Sequence, residues 1–252
     1  MQKSPPVPSF LDYPFWLSQA LLSTVGTDLS VLHADQIPTQ GSLIVVSNHR
    51  SFLDPFVVMA ALNRSVRFAR HRYMGRVPLL REMVQALGCF SLHVSKQSQD
   101  GLFSSSVPLP QSQWLGIFPE GAKPMVQTTQ PQELGEFHRG FAHLALRSQV
   151  QPLGILPVAI ASHVEVQETT VPLQVLSWFD PSEPLFQQSG WHPAVFYRRV
   201  SVVVGQPLWI TPAQQQQYKG KQAKAIAADI TRTCKAEVAA LLREGYQRES
   251  GC

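Results

Sequence analysis

A chain of 252 residues that is 44% hydrophobic and only 15% charged can bury a sizeable core, and it is too apolar for a disordered tail or a coiled coil. Its net charge of +4 and pI near 9.1 mildly favour anionic partners, so nucleic acid, an anionic membrane surface and phosphorylated substrates all fit. Cys89, Cys234 and Cys252 are odd in number, widely spaced and without a CxxC, which argues for a reducing compartment and against a disulfide framework or a zinc site.

The first residues hold one lysine and then Pro-rich sequence, with no apolar signal core. Residues 1–9 read as a loose arm. From Phe10 to Leu22 aromatics and leucines crowd together, among them Tyr13, Phe15 and Trp16. The apolar stretch Tyr13–Thr27 is bounded by Asp12 and Asp28, well short of the ~20 apolar residues of a membrane span. Two arrangements suit it: a first helix packed on the core, or an interfacial helix with Tyr13 and Trp16 at headgroup level. It lacks a Lys/Arg-rich polar face. The protein is expected to be soluble or to lie on a membrane, with residues 1–30 as arm and interfacial helix and residues 31–252 as one folded domain.

The apolar run Leu43–Val46, fenced by Gly41, predicts a buried strand. His49 falls where that strand ends, the position at which open α/β sheets place their chemistry. Asp54, Pro55 and the apolar run Phe56–Leu62 predict a helix with Asp54 as N-cap and Pro55 at the first helical position. A carboxylate at the helix mouth can hold one imidazole nitrogen and leave the other free to take a proton. A capping aspartate beside an idle loop histidine produces the same spacing, so the pair needs support from elsewhere in the chain.

Arg64, Arg67, Arg70, Arg72, Arg76 and Arg81 follow, with no carboxylate between Asp54 and Glu82. Such a one-sign patch suits a phosphorylated cofactor or an anionic surface, or is simply solvated. Aromatics interleave it, but no nucleic-acid module accompanies them. Further strands are predicted at Gly88–Val94 and Trp114–Phe118, with a Ser/Gln/Pro-rich loop or broken helix over 97–113 between them. A polar connection over 124–136 leads to a helix at Phe141–Arg147. Ile155–Ala161 reads as a strand whose Pro157 predicts an edge or a bulge. Strands are expected near Leu173–Phe179 and Val200–Val204, then one amphipathic helix from about Ala213 to Gly245. The alternation gives a single α/β domain.

The sequence holds no G-x-S-x-G elbow, no Walker-type loop, no G-x-G-x-x-G and no H-E-x-x-H spacing among its eight histidines. What it does hold is Asn48-His49-(x4)-Asp54, then Gly88-Cys89-Phe90-Ser91-Leu92-His93-Val94, then Phe118-Pro119-Glu120-Gly121-Ala122-Lys123-Pro124, then Leu156-Pro157-Val158-Ala159-Ile160. In this order the blocks resemble those of the phospholipid-synthesis acyltransferases, the family of 1-acylglycerol-3-phosphate O-acyltransferase. That family carries N-H-x4-D, G-x-[IF]-x-[IV]-[DN]-R, F-P-E-G-[TS]-R-S and V-P-V-[AS]-I. The likeness covers roughly residues 40–210, and the first and third blocks together are specific.

The resemblance implies a mixed, mostly parallel sheet flanked by helices, of the glycerol-3-phosphate acyltransferase type. It also implies acyl transfer from an acyl carrier protein or coenzyme A thioester to the hydroxyl of lysophosphatidic acid, with no cofactor beyond that co-substrate. His49 would be the general base and Asp54 its orienter. Glu120, Gly121, Lys123 and Arg139 would serve the acceptor, and Pro157 would shape the acyl-binding wall; Glu120 has the alternative role of anchoring its turn through backbone hydrogen bonds. Peripheral attachment to the cytoplasmic membrane face is expected, with no nucleic acid and no metal. Two departures stand out. His93-Val94 replaces the second block's Asp-Arg, removing an arginine for the acceptor phosphate. Lys123 replaces the third block's arginine, keeping a cation without the bidentate fork. Lys96, Arg139 and His93 are the candidates to compensate. An unphosphorylated acceptor, such as a glycolipid or another alcohol, is therefore the alternative, and a non-catalytic lipid-binding homologue the more distant one.

Overall fold

The computed structural model describes residues 13–70, 81–82, 89–91, 113–121, 123–126, 129–179, 181 and 184–249. Among them run eight strands: β1 (Asp28–Leu32), β2 (Ser42–Ser47), β3 (Arg67–Arg70), β4 (Phe90–Ser91), β5 (Trp114–Ile117), β6 (Leu153–Pro172), β7 (Trp191–Val204) and β8 (Leu208–Trp209). They form one sheet in the order β1-β7-β6-β2-β5-β3-β4, with β8 alongside β6. All pairs are parallel except β6–β7 and β6–β8, so the expected mixed, mostly parallel α/β domain is present.

Strand β2 is central, between β5 and β6, and every one of its residues is buried. A parallel strand covered on both faces has no solvent side, which is why Leu43–Val46 reads as a continuous apolar run. Ile44 and Val46 join the core beneath helices α4 (Gly140–Arg147) and α7 (Gly220–Glu249). Leu43 and Val45 face the other way, toward α1 (Tyr13–Val25) and α2 (Asp54–Leu62). Helix α1 docks through Leu22 and Ser18 and leaves Tyr13 and Trp16 more than half exposed. It thus packs on the core and still presents its aromatics. No helix among the described residues is long and apolar enough to cross a membrane.

Several expectations change. Pro157 lies in a central strand, not at an edge, and the register shifts of β6 occur further on, between Ser162 and Glu165 and between Thr169 and Val171. The carbonyl of Pro157 accepts the Gly205 N–H at 2.9 Å, so the missing N–H points to the corner where β7 gives way to β8. No ladder bond to β2 is lost there. Residues Leu173–Phe179 form a helix, α5, instead of a strand. Leu173, Leu176 and Phe179 recur at helical spacing, and in seven residues that period is hard to tell from strand alternation. The C-terminal helix is two helices: a short α6 (Pro212–Gln217), opened by a reciprocal Thr211–Gln214 capping box, and then α7, whose first residue is Gly220 at φ +54. The 124–136 connection begins with one further turn, α3 (Lys123–Val126). Phe90–Ser91 of the expected 88–94 strand is β4, while the 1–9 arm and residues 97–112 lie outside the described residues.

Close approach of β3 to β5 requires a glycine. A Cβ on Gly116 would sit 2.2 Å from the Phe68 ring, a distance at which the ring must move. Gly116→Ala is therefore expected to destabilise the fold by about 1–3 kcal/mol, the usual cost of overpacking, read as a lower urea midpoint. An unchanged midpoint would contradict this packing.

Candidate active site

Past Ser47 the chain leaves β2 but stays tied to the sheet. The Asn48 amide accepts the Ile160 N–H at 2.8 Å and donates to the Ile160 carbonyl at 2.9 Å, copying a backbone ladder pair onto β6. The next residue, His49, is thereby aimed across the turn. Its Nδ1 lies 2.7 Å from Oδ2 of Asp54. Facing a carboxylate, Nδ1 is the protonated nitrogen, and Nε2 of the neutral ring is then an acceptor. Nε2 makes no hydrogen bond among the described residues, and the side chain is 14% exposed. The arrangement has one nitrogen anchored and the other open.

Asp54 does not cap its helix. Leu53 occupies the N-cap and no side chain caps the helix there. The fully buried carboxylate turns back on the loop before it instead. Oδ2 also accepts the N–H groups of Arg50 (2.6 Å) and Ser51 (2.9 Å), and Oδ1 accepts the Tyr197 hydroxyl at 2.6 Å. Tyr197 is completely buried on β7, and burial, with the Asp54 charge adding to it, pushes its ionisation well above the ordinary tyrosine range. It is a fixed donor.

Two further contacts hold His49. Its ring stacks on Phe118, centroids 4.2 Å apart and planes 9° off parallel, and Phe118 stacks in turn on Phe68 at 5.1 Å and 11°. Its backbone N–H donates to Oε1 of Glu120 at 2.9 Å, while Oε2 of Glu120 accepts the Gly135 N–H at 2.6 Å. Glu120 is 8% exposed, and burial raises its ionisation against the pull of those two N–H groups. Both of its oxygens thus hold backbone.

Arg50 points away from the turn. Its Nε and Nη2 reach Oε2 and Oε1 of Glu165 at 2.8 and 2.5 Å, a bidentate pair, and Nη1 donates to the Thr129 carbonyl. Ser51 Oγ donates to the Val195 carbonyl. So Asn48, Arg50, Ser51 and Asp54 are each bonded to the β6–β7 hairpin. Ser162 and Gln167 also donate to Glu165; although burial works against its charge, these bonds and Arg50 leave its ionisation below the usual carboxylate range.

Of the residues expected from sequence, the structure brings His49, Asp54 and Glu120 into direct contact. Gly121 forms the adjoining turn at φ +71, with its N–H on the Phe118 carbonyl and the His138 ring alongside. Pro157 is buried opposite Val46, three residues before His49. Lys123 opens α3 and Arg139 precedes α4; both are exposed and neither makes an ion pair or side-chain hydrogen bond among the described residues. His93 and Lys96 lie outside the described residues, as do Arg72 and Arg76. Arg64 lies over the Trp114 ring at 4.6 Å, and Arg81 is bonded to Glu82. Sequence reasoning missed Tyr197, for which a tyrosine in an apolar strand gives no signal, and it assigned no role to Arg50 and Phe118, whose neighbours in the motifs were read.

Residues 28–161 match a protein-family model described as Acyltransferase. Among solved structures, the chain is similar to the 1-acyl-sn-glycerophosphate (LPA) acyltransferase PlsC from Thermotoga maritima. The sequence identity is 15% and the TM-score 0.49, over 90% of this chain and 78% of that one. Curated proteins give no match.

The Arg50–Glu165 pair carries a pH signature. A carboxylate whose ionisation is depressed on folding contributes stability above its unfolded value, and loses it as pH falls through the folded one. Glu165→Gln is thus expected to melt below wild type at neutral pH, with the gap closing as the pH drops below about 4. A gap that stays constant across that range would contradict the assignment.

Proposed function

The chain belongs to the acyltransferase family, and from that premise we propose that it transfers a fatty acyl group from an acyl carrier protein or coenzyme A thioester to the hydroxyl of lysophosphatidic acid, forming phosphatidic acid. The observation that carries this reading is the His49–Asp54 pair, bonded at 2.7 Å with Nε2 left open at the exit of the central strand. Acyl transfer to an alcohol needs a base for the hydroxyl proton, and an imidazole anchored through Nδ1 supplies one. In this scheme Nε2 takes the acceptor's proton as its oxygen attacks the thioester carbonyl. The tetrahedral intermediate then expels the thiolate, which recovers the proton from the imidazolium. Asp54 steadies the imidazolium in between, and no acyl-enzyme is required.

The acceptor's phosphate would fall to Lys123 and Arg139, exposed cations without partners among the described residues. Glu120 and Gly121 would shape the acceptor side, Glu120 by fixing the His49 backbone, and Pro157 the acyl wall. Exposed Tyr13 and Trp16 on α1 support peripheral contact with the cytoplasmic membrane face. The loss of the second block's arginine, where Val94 stands, favours a second reading: the same chemistry on an unphosphorylated alcohol.

Thiol release from acyl carrier protein and coenzyme A thioesters, offered lysophosphatidic acid and then monoacylglycerol, tests the proposal. Release with the phosphorylated acceptor alone is the expected outcome, and Lys123→Ala should then raise the acceptor KM about tenfold with kcat little changed, as loss of uniform binding does. Release indifferent to the phosphate would move the acceptor to the second class. Absence of release with either acceptor would overturn acyl transfer to both.

A further inference from the structure

Four donors converge on Asp54, and three of them come from its own turn: His49 Nδ1 and the N–H groups of Arg50 and Ser51. Their geometry follows from the loop itself. The fourth, the Tyr197 hydroxyl, arrives from β7, 143 residues further along the chain, and takes Oδ1. We propose that Tyr197 is a positioning residue for acyl transfer, setting through Asp54 both the orientation of His49 and its affinity for a proton; this rests on the reading of His49 as the base.

The hydroxyl is held still. Thr27 Oγ1 donates to the Tyr197 carbonyl at 2.9 Å, Ser51 Oγ fastens Val195 two residues away, and Tyr197 pairs with Glu165 across the β6–β7 ladder. Three donors of the turn already hold Oδ2; the bond to Oδ1, anchored on a strand outside the turn, restrains the same planar carboxylate from its other side, so that Oδ2 meets His49 in one direction. Tyr197 also draws charge toward Oδ1, which lessens the charge that Oδ2 offers to the imidazolium. Remove that donor and the carboxylate should hold the His49 proton more tightly while aiming it less well. The other charged groups around the phenol are Arg50 from the same turn and Glu165 from β6, with Glu120 from the β5 exit beyond His49. None of the three bonds to Oδ1 of Asp54.

Tyr197→Phe keeps the ring in the core and deletes the hydroxyl alone. In the full chain, kcat should fall roughly tenfold, a modest share of what a positioned base contributes, while the KM for thioester and acceptor stays within about twofold. In histidine-labelled protein the His49 ring resonance, identified by its disappearance in His49→Ala, should titrate with a midpoint above that of wild type. Loss of packing alone moves a melting curve and leaves that midpoint in place. Incorporation of 3-fluorotyrosine at 197, which makes the phenol a stronger donor in an unchanged shape, should move the midpoint the opposite way and covers the case of a variant that does not fold. In an Asp54→Asn background, Tyr197→Phe should cost little more.

A wild-type kcat and an unmoved His49 midpoint would overturn the proposal, as would a full further loss on top of Asp54→Asn. The underlying reading fails separately: if His49→Ala still turns over, the base is another group. The ring titration needs no substrate, so the link from Tyr197 to His49 is read in either case.

Discussion

The buried carboxylate of Asp54 is the constraint on which the rest of the site depends. Removing a carboxylate from water costs several kcal/mol, and the charge is tolerated only where donors replace the lost solvent. Here four donors do so, each bond to a charged acceptor contributing about 1.5–3 kcal/mol. Satisfying them dictates geometry. The His49–Asp54 turn must curl so that two successive backbone N–H groups face Oδ2, and that curl places the imidazole on the same oxygen. Tyr197 must come up from β7 to reach Oδ1. His49 and Asp54 are therefore not two side chains that happen to meet, since a loop wound around a charge brings them together.

The β6–β7 hairpin supplies what the loop lacks. Asn48 continues the β2–β6 ladder by one amide, Arg50 locks onto Glu165, Ser51 onto the Val195 carbonyl and Asp54 onto Tyr197. The exit of β5 adds Phe118 beneath the ring and Glu120 on the His49 N–H. A residue at a parallel strand's exit would ordinarily lie on a mobile loop. This one is held on three sides by the neighbouring strands and their exits, while Nε2 makes no hydrogen bond among the described residues. Preorganisation of that kind is what a base needs if its alignment is not to be purchased at each turnover.

Much of this was legible in the chain because it is local. Four apolar residues covered on both faces announce β2, and the five-residue spacing from His49 to Asp54 spans one tight turn, so their contact could be foreseen. The contact of Glu120 with His49 rests on β5 pairing beside β2, which the sheet supplies and the sequence did not show. What stayed hidden is long-range or conformational. Tyr197 carries no mark distinguishing it from its apolar neighbours, because its partner is 143 residues away. Asp54 looked like a helix cap since caps and turn anchors use the same residue at the same place; only the direction of the carboxylate separates them. Pro157 looked like an edge residue because sequence does not show that β7 yields to β8 beside it. The helix at Leu173–Phe179 and the break before Gly220 escaped for a further reason, that seven-residue elements and single left-handed glycines leave little periodic signal.

We assign the proton transfer to His49, and removal of that side chain tests the assignment. Turnover of the thioester by His49→Ala should fall at least about a hundredfold, the lower range for losing a positioned base, in a protein that still folds but melts below wild type, because Asp54 loses one of its four donors and Phe118 its stacking partner. Undiminished turnover in a folded His49→Ala protein would contradict the account, and with it the roles given to Asp54 and Tyr197.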